Sequence, residues 1–352
     1  MSYAYAEILS QPDTWEETLA IVPAQWAQIR ERVSFQPGTQ VLFIGCGTSY
    51  YLAQTAAQCF QEITGYASRA IPGSEVFLSP DSNVPRGVPL VAFVISRSGT
   101  SSEAVIAARY LNGHDSGSPS VTTVGITCSP ETDLARETDV TIELFHADDQ
   151  SVVMTRSFTN MLLALQIIAT EVAGTISLQA ELAGIPDLIR PQLDEMGEFA
   201  REIGRRRDLC RVIYLGLGPN YGLAQEATLK LKEMTQVECE PYNPLEFRHG
   251  AISMVREDTA VVALAGERER SYIPDLEAHV KRFGAFLGTI APYPSDQAHV
   301  HVRLPDGLSD VTRSVLYLPA VQLLAYERSR LLGLDPDAPR NLGHVVTLNA
   351  NE

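Results

Sequence analysis

The chain of 352 residues is acidic, with a formal net charge of −16 and a hydrophobic content of 45%. Its length allows two domains of ordinary size, and its composition is typical of a globular protein. The charge argues against a nucleic-acid partner, which requires an extended basic surface. No apolar run is long enough to span a membrane, and the N-terminus lacks the pattern of a secretory signal. We therefore expect a soluble, cytoplasmic protein with no membrane contact.

The cysteines and histidines predict no metal centre. The five cysteines are scattered and never occur in C-x-x-C spacing, which indicates neither a disulfide framework nor a zinc site. His299 and His301 alternate in a strand-like run without further ligand residues nearby. We expect no metal ion and no cofactor. An acidic protein can still bind a phosphate locally, through backbone N–H groups and hydroxyls.

Strand-like and helical segments alternate along the first half of the chain. Two helical pieces, Tyr3–Leu9 and Thr14–Arg32, open it and are separated at Gln11–Asp13. Short, continuously apolar strands between helices predict a parallel sheet covered on both faces. The predicted strands are Val41–Ile44, Ser68–Ala70, Leu90–Ile95, Thr122–Thr127 and Val140–Leu144; predicted helices run to Ile63 and over Ser101–Leu111 and Phe158–Thr175.

The same alternation continues in the second half. Leu178–Gly204 is interpreted as a linking amphipathic helix with a turn near Gly184–Pro186. The extended tail is Gly333–Glu352. The predicted strands are Val212–Leu215, Thr259–Ala265 and Gly288–Ala291, and the predicted helices are Tyr221–Thr235, Tyr272–Phe283 and Pro319–Leu332.

One strand–turn–helix segment occurs twice in the chain. Val41–Thr64 and the segment that starts at Val212 align at a shift of 171 positions, with nine identities over twenty residues. This similarity predicts two copies of one α/β unit. A glycine turn that opens a helix is half of a phosphate-type site, because the first helical N–H groups are unpaired. The identical pairs are Gly45 and Gly216, Gly47 and Gly218, Tyr50 and Tyr221, Leu52 and Leu223, Ala53 and Ala224, Gln54 and Gln225, Ala56 and Ala227, Glu62 and Glu233, and Thr64 and Thr235.

The two copies differ in their charged residues. Glu226, Lys230 and Glu233 fall at i, i+4 and i+7, so they share one face of the second helix. The first copy has Thr55 and Cys59 where the second has Glu226 and Lys230. Two interpretations of this helix face are open. The three charged side chains form either a solvent-exposed row with one ion pair or a functional cluster.

A hydroxyl-rich loop follows the strand Leu90–Ile95 and reads SRSGTSSE over Ser96–Glu103. Such a loop at a strand's carboxyl end can present several O–H and N–H donors to one anion, and the alternative is an ordinary helix cap. At the aligned position the second copy has Ala265–Arg270, in which Glu267 and Glu269 would repel an anion. Only the first copy is therefore expected to hold phosphate.

Two further polar segments are candidates for the site. Ser151–Thr159 precedes an apolar helix, and it either completes the pocket or caps that helix. His249 lies between Arg248 and Gly250 in a loop rich in proline and asparagine, where a lone histidine is most often only solvated.

Six short motifs follow one another along the chain: Gly45–Tyr50, Ser96–Ser101, Thr155–Thr159, Glu226–Glu233, Glu246–Gly250 and Pro339–Leu342. In this order they resemble the tandem sugar isomerase (SIS) domain family, and in particular the isomerase half of glucosamine-6-phosphate synthases. The resemblance covers essentially the whole chain. It implies an α/β fold of two flavodoxin-like domains, each a mostly parallel sheet flanked by helices. It also implies a homodimer whose active site is shared at the subunit boundary.

The resemblance divides the chain into five parts. We expect an N-terminal helical segment at residues 1–34, a sugar-phosphate-binding SIS domain at 35–176 and a linker helix at 177–204. A second SIS domain with the catalytic glutamate and histidine follows at 205–334, and a tail over the active site at 335–352.

The resemblance also implies roles for individual residues. Glu233 moves a proton between C1 and C2 of the sugar, and His249, offered across the dimer, opens the sugar ring. Glu226 and His344 complete the expected catalytic set. The expected substrate-binding residues are Thr48, Ser49, Ser96, Arg97, Ser98, Ser101, Val152 and Lys230.

Two departures from the synthases matter. The chain begins Met1-Ser2, without the N-terminal cysteine of the synthases, and we expect no glutaminase. His344 stands where the family tail has a lysine that can form an imine with a ketose. We therefore expect a glutamine-independent deaminase that converts glucosamine 6-phosphate into fructose 6-phosphate and ammonia. The alternatives are a simple aldose–ketose isomerase of a hexose phosphate and a non-catalytic sugar-phosphate sensor.

Overall fold

The chain divides into two compact units. In the computed structural model, residues 2–113 and 120–348 are described, so the last four residues of the predicted tail lie outside the described part. We call them the N-unit and the C-unit, because they contain the first and the second sheet along the chain. The N-unit comprises Asp13–Asp148, Arg156–Ala183 and Gly343–Glu352, and the C-unit comprises Met1–Pro12, Asp149–Thr155 and Gly184–Leu342.

Helices account for most of the regular structure. Within the described residues, no helix is both long enough and apolar enough to cross a membrane. The helices of the described chain are α1 (Tyr3–Leu9), α2 (Gln11–Ile29), α3 (Thr48–Thr64), α4 (Gly73–Leu78), α5 (Pro80–Asn83), α6 (Ser102–Gly113), α7 (Asp133–Glu137), α8 (Arg156–Ala173), α9 (Ile176–Ile189), α10 (Leu193–Gly204), α11 (Pro219–Thr235), α12 (Ile273–Arg282), α13 (Asp310–Arg313) and α14 (Leu318–Leu332).

The N-unit contains a five-stranded sheet in the order β2-β1-β3-β4-β5, and every neighbouring pair is parallel. All six residues of the central strand β3 are buried, as expected for a parallel strand covered on both faces. The ring of Phe93 on this strand stacks on the ring of Phe43 on the neighbouring strand β1, with centroids 5.1 Å apart. The strands are β1 (Gln40–Gly45), β2 (Ser68–Pro72), β3 (Leu90–Ile95), β4 (Val121–Thr127) and β5 (Val140–Glu143).

The C-unit contains a second five-stranded parallel sheet, in the order β10-β9-β8-β6-β7. The predicted α/β class with two parallel sheets flanked by helices is confirmed, and each sheet is consistent with the flavodoxin-like fold. The strands are β6 (Arg211–Gly216), β7 (Glu238–Tyr242), β8 (Thr259–Leu264), β9 (Phe286–Ala291) and β10 (Val300–Arg303).

The glycine turns of the repeat have the same backbone geometry in both units. Gly47 and Gly218, which precede α3 and α11, have φ and ψ of 54° and −125° and of 57° and −126°. A Cβ on Gly45 would lie 2.4 Å from the backbone of Ser49, and one on Gly216 would be as crowded. Only glycine fits these positions, which explains why the glycines stay in register in the two copies.

Three differences from the predicted secondary structure have a clear physical reason. The first two helices are separated at Ser10, because Pro12 lies in the first turn of α2, where its missing N–H is not needed. The turn predicted near Pro186 does not form: α9 continues past it, and the break comes at the 3-10 turn Arg190–Gln192. The edge strand β7 was not predicted, since only Cys239 of its five residues is buried.

Candidate active site

The first set of candidate residues lies at the glycine turn of the N-unit. Thr48 and Ser49 are the first two residues of α3 and are buried, at 6% and 5% exposure. Gly47 precedes them and provides no side-chain cap for the first N–H groups of the helix. The N–H groups of Ser49 and Tyr50 donate to the carbonyls of Cys46 and Gly47, so the helix dipole and the Thr48 and Ser49 hydroxyls are what favour an anion at this end of α3.

The hydroxyl loop follows β3, the parallel neighbour of β1. Ser96 Oγ accepts a hydrogen bond from the Gly99 N–H at 3.1 Å and lies 3.5 Å from Ser101 Oγ. Gly99 has a φ of 62°, and a Cβ there would lie 2.4 Å from the Thr132 side chain. The loop is thus a tight turn that gathers serine hydroxyls. It lies at the carboxyl edge of β1 and β3, where the strand order reverses and ligands bind in open α/β sheets.

Arg97 connects this loop to the C-terminal tail. Its side chain is buried, and Nη2 donates to the carbonyl oxygen of His344 at 3.3 Å. The N–H of Ser102 donates to the carbonyl of Val346 at 3.4 Å, and the N–H of Leu348 donates to Ser102 Oγ at 3.0 Å. The tail therefore lies against the hydroxyl loop within the N-unit. The imidazole of His344 is exposed.

The charged face of α11 is buried in the C-unit, so the solvated-row interpretation is wrong. The side chains of Glu226 and Lys230 are 0% and 1% exposed, and that of Glu233 is 17% exposed. Lys230 Nζ lies 3.5 Å from Glu226 Oε1 and also forms an ion pair with Glu233. One ammonium group thus holds a fully buried carboxylate and a partly exposed one on the same helix.

His249 lies in the 3-10 turn Glu246–His249 of the C-unit, and its side chain is exposed. The turn is anchored by Phe247, which is fully buried and packs on Tyr242 with ring centroids 5.4 Å apart. Gly250 follows with a φ of 148° and ends the turn. The structure fixes the backbone that carries His249, and the role of this histidine stays a prediction.

The backbone of Val152 is held by groups that the sequence did not reveal. Its N–H donates to the carbonyl of Asp337 at 2.9 Å. The hydroxyl of the preceding Ser151 is hydrogen-bonded to Glu7 at 2.6 Å, and the N–H of Gln150 donates to Glu7 at 2.5 Å. Burial, and then the nearby Asp149 carboxylate, raise the pKa of Glu7. The one feature of the sequence that could have indicated this contact is Glu7, an acidic residue among the apolar residues of α1.

No metal site accompanies these residues. Within residues 2–113 and 120–348, no group of three or more His, Cys, Asp and Glu side chains is arranged to hold a metal ion. The predicted residues fall into two sets. Thr48, Ser49, Ser96, Arg97, Ser98, Ser101 and His344 lie in the N-unit, and Val152, Glu226, Lys230, Glu233 and His249 lie in the C-unit.

Removing two hydroxyls should test the hydroxyl loop. The double variant Ser96→Ala and Ser98→Ala should bind a sugar phosphate at least about tenfold more weakly. Each lost hydrogen bond to a charged group costs about 1.5–3 kcal/mol. Titration calorimetry measures the change, and inorganic phosphate should compete with the sugar. Ser120→Ala, an exposed serine before β4, is the control and should bind like the parent. Unchanged affinity in the double variant would make the loop only a helix cap.

Comparison with known proteins agrees with this architecture. The SIS domain model matches residues 35–171 and 207–291, which together are more than half of the chain. The chain is 29% identical over 369 residues to the glutamine–fructose-6-phosphate aminotransferase (isomerizing) of Bradyrhizobium diazoefficiens. That alignment covers 97% of this chain and 58% of the aminotransferase. The chain thus spans somewhat over half the length of the curated relatives that it matches.

Two solved structures share the fold over nearly the whole chain. A glucosamine-6-phosphate deaminase from Thermotoga maritima matches with a TM-score of 0.80 and 25% identity, covering 99% of this chain and 100% of that one. A tagatose-6-phosphate ketose/aldose isomerase from Escherichia coli matches with a TM-score of 0.86 and 25% identity, covering 99% and 97%. The chain has two parallel sheets, and in each of them a glycine turn of the same geometry follows the first strand. The SIS domain model matches a segment of each sheet's unit and more than half of the chain, so the chain belongs to the SIS domain family.

Proposed function

We propose that this protein is a phosphosugar isomerase that also releases ammonia, converting glucosamine 6-phosphate into fructose 6-phosphate without glutamine. The observation that carries the proposal is the buried cluster on α11. Lys230 holds the partly exposed carboxylate of Glu233 in place, while Glu226 balances the same ammonium from the buried side. A carboxylate that is fixed by a neighbour and still open to solvent suits proton transfer to and from a substrate.

The proposed reaction needs one carboxylate, one ring-opening acid or base and one water molecule. His249 opens the ring of the 2-amino sugar, which gives the C1 aldehyde. Glu233 takes the C2 proton and returns it to C1. In the same step O1 gains a proton and the amine nitrogen loses one, so the C1 carbonyl becomes an alcohol and C2 becomes an imine. Water adds to this imine and ammonia leaves, so the products are fructose 6-phosphate and ammonia.

The N-unit is the proposed phosphate anchor. Thr48, Ser49 and the hydroxyl loop place several O–H groups at one sheet edge, beside the N-terminus of α3, which suits a phosphate group. Arg97 belongs to this loop, and the backbone of His344 lies beside it, because the tail is hydrogen-bonded to the loop. We further propose a cytoplasmic homodimer in which His249 reaches the site of the partner subunit, as the family resemblance implies.

A second candidate function is aldose–ketose isomerisation of a hexose phosphate without deamination. The match to the tagatose-6-phosphate ketose/aldose isomerase favours it, since that structure covers 99% of this chain with a TM-score of 0.86. The same two residues, Glu233 and His249, would serve this reaction. The two candidates therefore differ in the substrate and not in the proton-transfer step.

A panel of hexose and hexosamine 6-phosphates tests the proposal. Glucosamine 6-phosphate should give ketose and ammonia in equal amounts without added glutamine. Fructose 6-phosphate with glutamine should give no amino sugar. Ketose formation from hexose phosphates alone would support the plain isomerase. Binding of every sugar phosphate without any product would leave the sensor as the function.

The tail histidine gives a separate prediction. Borohydride added during turnover should trap no sugar on the parent protein, because a histidine does not form a stable imine with a ketose. His344→Lys should become trappable with fructose 6-phosphate, while its ammonia release falls. Mass spectrometry of the intact protein measures the adduct. His344→Gln is the control without an amine. Adduct formation on the parent would contradict the proposal that the protein forms no imine with the ketose.

A further inference from the structure

The segment 149–155 belongs to the C-unit and carries Val152, one of the predicted substrate-binding residues. Its backbone is held by Glu7, a buried residue of α1 that the proposed reaction does not use. The N–H groups of Gln150 and Ser151 both donate to Glu7 Oε1, at 2.5 and 3.2 Å. The other carboxyl oxygen of Glu7, Oε2, lies 2.6 Å from Ser151 Oγ. One side chain therefore fixes the two residues that precede Val152.

The hydroxyl of Ser151 has two oxygen neighbours and only one proton. Its Oγ lies 2.6 Å from Glu7 Oε2 and 2.8 Å from the carbonyl oxygen of Val153, and both are O–H···O distances. A carbonyl oxygen can only accept, so an ionised Glu7 would leave one of these two contacts without a proton. A protonated Glu7 makes both of them hydrogen bonds, because Glu7 then donates to Ser151 and Ser151 donates to Val153.

The surroundings of Glu7 also favour its neutral form. The residue is 4% exposed, and removal of a carboxyl group from water disfavours its charge. This burial, and then the charge of Asp149, raise the pKa of Glu7 against the lowering effect of the hydrogen bonds that it receives. Asp149 accepts the N–H and the hydroxyl of Thr155, at 3.1 and 2.9 Å, so both of its oxygens act as acceptors.

The other elements beside α1 have ionisable groups with partners of their own. The tail presents Asp337, whose carboxylate accepts the N–H groups of Tyr3 and Ala4 at the start of α1. The helix α14 presents Tyr326, whose ring lies 4.9 Å from that of Tyr5. The remaining charged residues are Glu327, which pairs with Arg205, Arg328, which donates to backbone carbonyls, Arg330, which is exposed, and Arg201 of α10, which pairs with Glu198.

We propose that Glu7 is a positioning residue that holds the backbone beside Val152 as a neutral carboxylic acid, with its proton on Oε2 and donated to Ser151 Oγ. The Val152 N–H donates to the carbonyl of Asp337, so three consecutive N–H groups of the segment are fixed. Loss of the Glu7 proton removes one hydrogen bond of this chain, and the segment is then held less tightly. The proton on Glu7 is independent of the proposed function, whereas its effect on a bound sugar phosphate rests on that function.

Infrared difference spectroscopy of the full-length protein tests the proton directly. A carboxylic acid has a C=O stretching band that a carboxylate lacks. At about pH 5.5, where an exposed glutamate is ionised, the parent should show one such band that is absent from Glu7→Gln. Glu202→Gln removes an exposed carboxylate of α10 and should keep the band. A parent spectrum without the band, or the same band in Glu7→Gln, would overturn the proposal.

The same proton predicts a pH-dependent difference in stability. Because the folded protein raises the pKa of Glu7, it keeps the proton at pH values where the unfolded chain has lost it. Stability therefore declines as the pH rises from the ordinary pKa of a glutamate through the raised one. Over this window the melting temperature of the parent should fall relative to that of Glu7→Gln by about 2–4 °C per pH unit. Parallel pH profiles of the two proteins would contradict a raised pKa at Glu7.

Sugar-phosphate binding tests the positioning role. Glu7→Gln has an amide N–H in place of the donated proton, so at about pH 5 it should bind within about twofold of the parent. As the pH rises, the dissociation constant of the parent should increase at least about threefold relative to that of Glu7→Gln. The titration of the ligand's own phosphate cancels in this ratio. A ratio that stays constant with pH would remove the positioning role.

A second variant separates this proposal from the proposed function. Glu7→Ala leaves the N–H groups of Gln150 and Ser151 without their acceptor, so it should bind a sugar phosphate at least about tenfold more weakly than Glu7→Gln. Equal binding by the two variants would also contradict positioning by Glu7. A parent that shows the infrared band but binds no sugar phosphate would exclude the proposed function and leave the protonated Glu7 established.

Discussion

Glu233→Gln should fold and bind a sugar phosphate like the parent, and its turnover should fall by roughly 10²–10⁴-fold. Glutamine has nearly the shape of glutamate, but it cannot accept the C2 proton. Lys230 keeps Glu226 as its buried partner at 3.5 Å, so the helix retains an ion pair. Ketose and ammonia formation measure turnover, and incorporation of solvent deuterium at C1 or C2 measures proton transfer directly. Both should fall together.

The repeat provides a matched control for this prediction. Glu62 occupies the corresponding position in the first copy, near the end of α3, and its side chain is exposed. Glu62→Gln should therefore keep the parent's turnover. Undiminished exchange in Glu233→Gln would assign the proton transfer to another group. A parent protein that exchanges no deuterium with any sugar phosphate would be a sensor and not an enzyme.

Lys230→Met should lower the free energy of unfolding by about 3–5 kcal/mol, the usual cost of removing one partner of a buried charge pair. The variant removes the ammonium that contacts both Glu226 and Glu233, while Glu226 remains fully buried. Methionine fills a similar volume, so a cavity contributes little to the loss. Denaturant unfolding at neutral pH measures the difference.

Two further variants separate charge from packing. Lys232 lies on the exposed side of the same helix. Lys232→Met should therefore change the free energy of unfolding by about 0.5 kcal/mol or less. The double variant Lys230→Met with Glu226→Gln should recover part of the lost stability, because it removes the buried carboxylate as well. If Lys230→Met unfolds at the same denaturant concentration as the parent, the cluster contributes nothing to the fold.

The amino-acid sequence by itself determined the architecture of both units. The apolar runs that became β3 and β8 are buried along their whole length, and local hydrophobicity is enough to predict such strands. The glycines at positions 47 and 218 mark the same turn in both copies because only glycine tolerates that backbone. By contrast, β7 has one buried residue and contains Pro241, so it is defined mainly by its pairing with β6.

Only the tertiary structure decided how the polar residues are used. The spacing of Glu226, Lys230 and Glu233 predicted a shared face, but burial of that face depends on what packs against it. Arg97 meets the carbonyl of His344 across 247 positions of sequence, a separation at which no local pattern operates. Periodicity specifies which residues share a face, whereas burial and hydrogen-bond pairing depend on contacts between segments far apart in the chain.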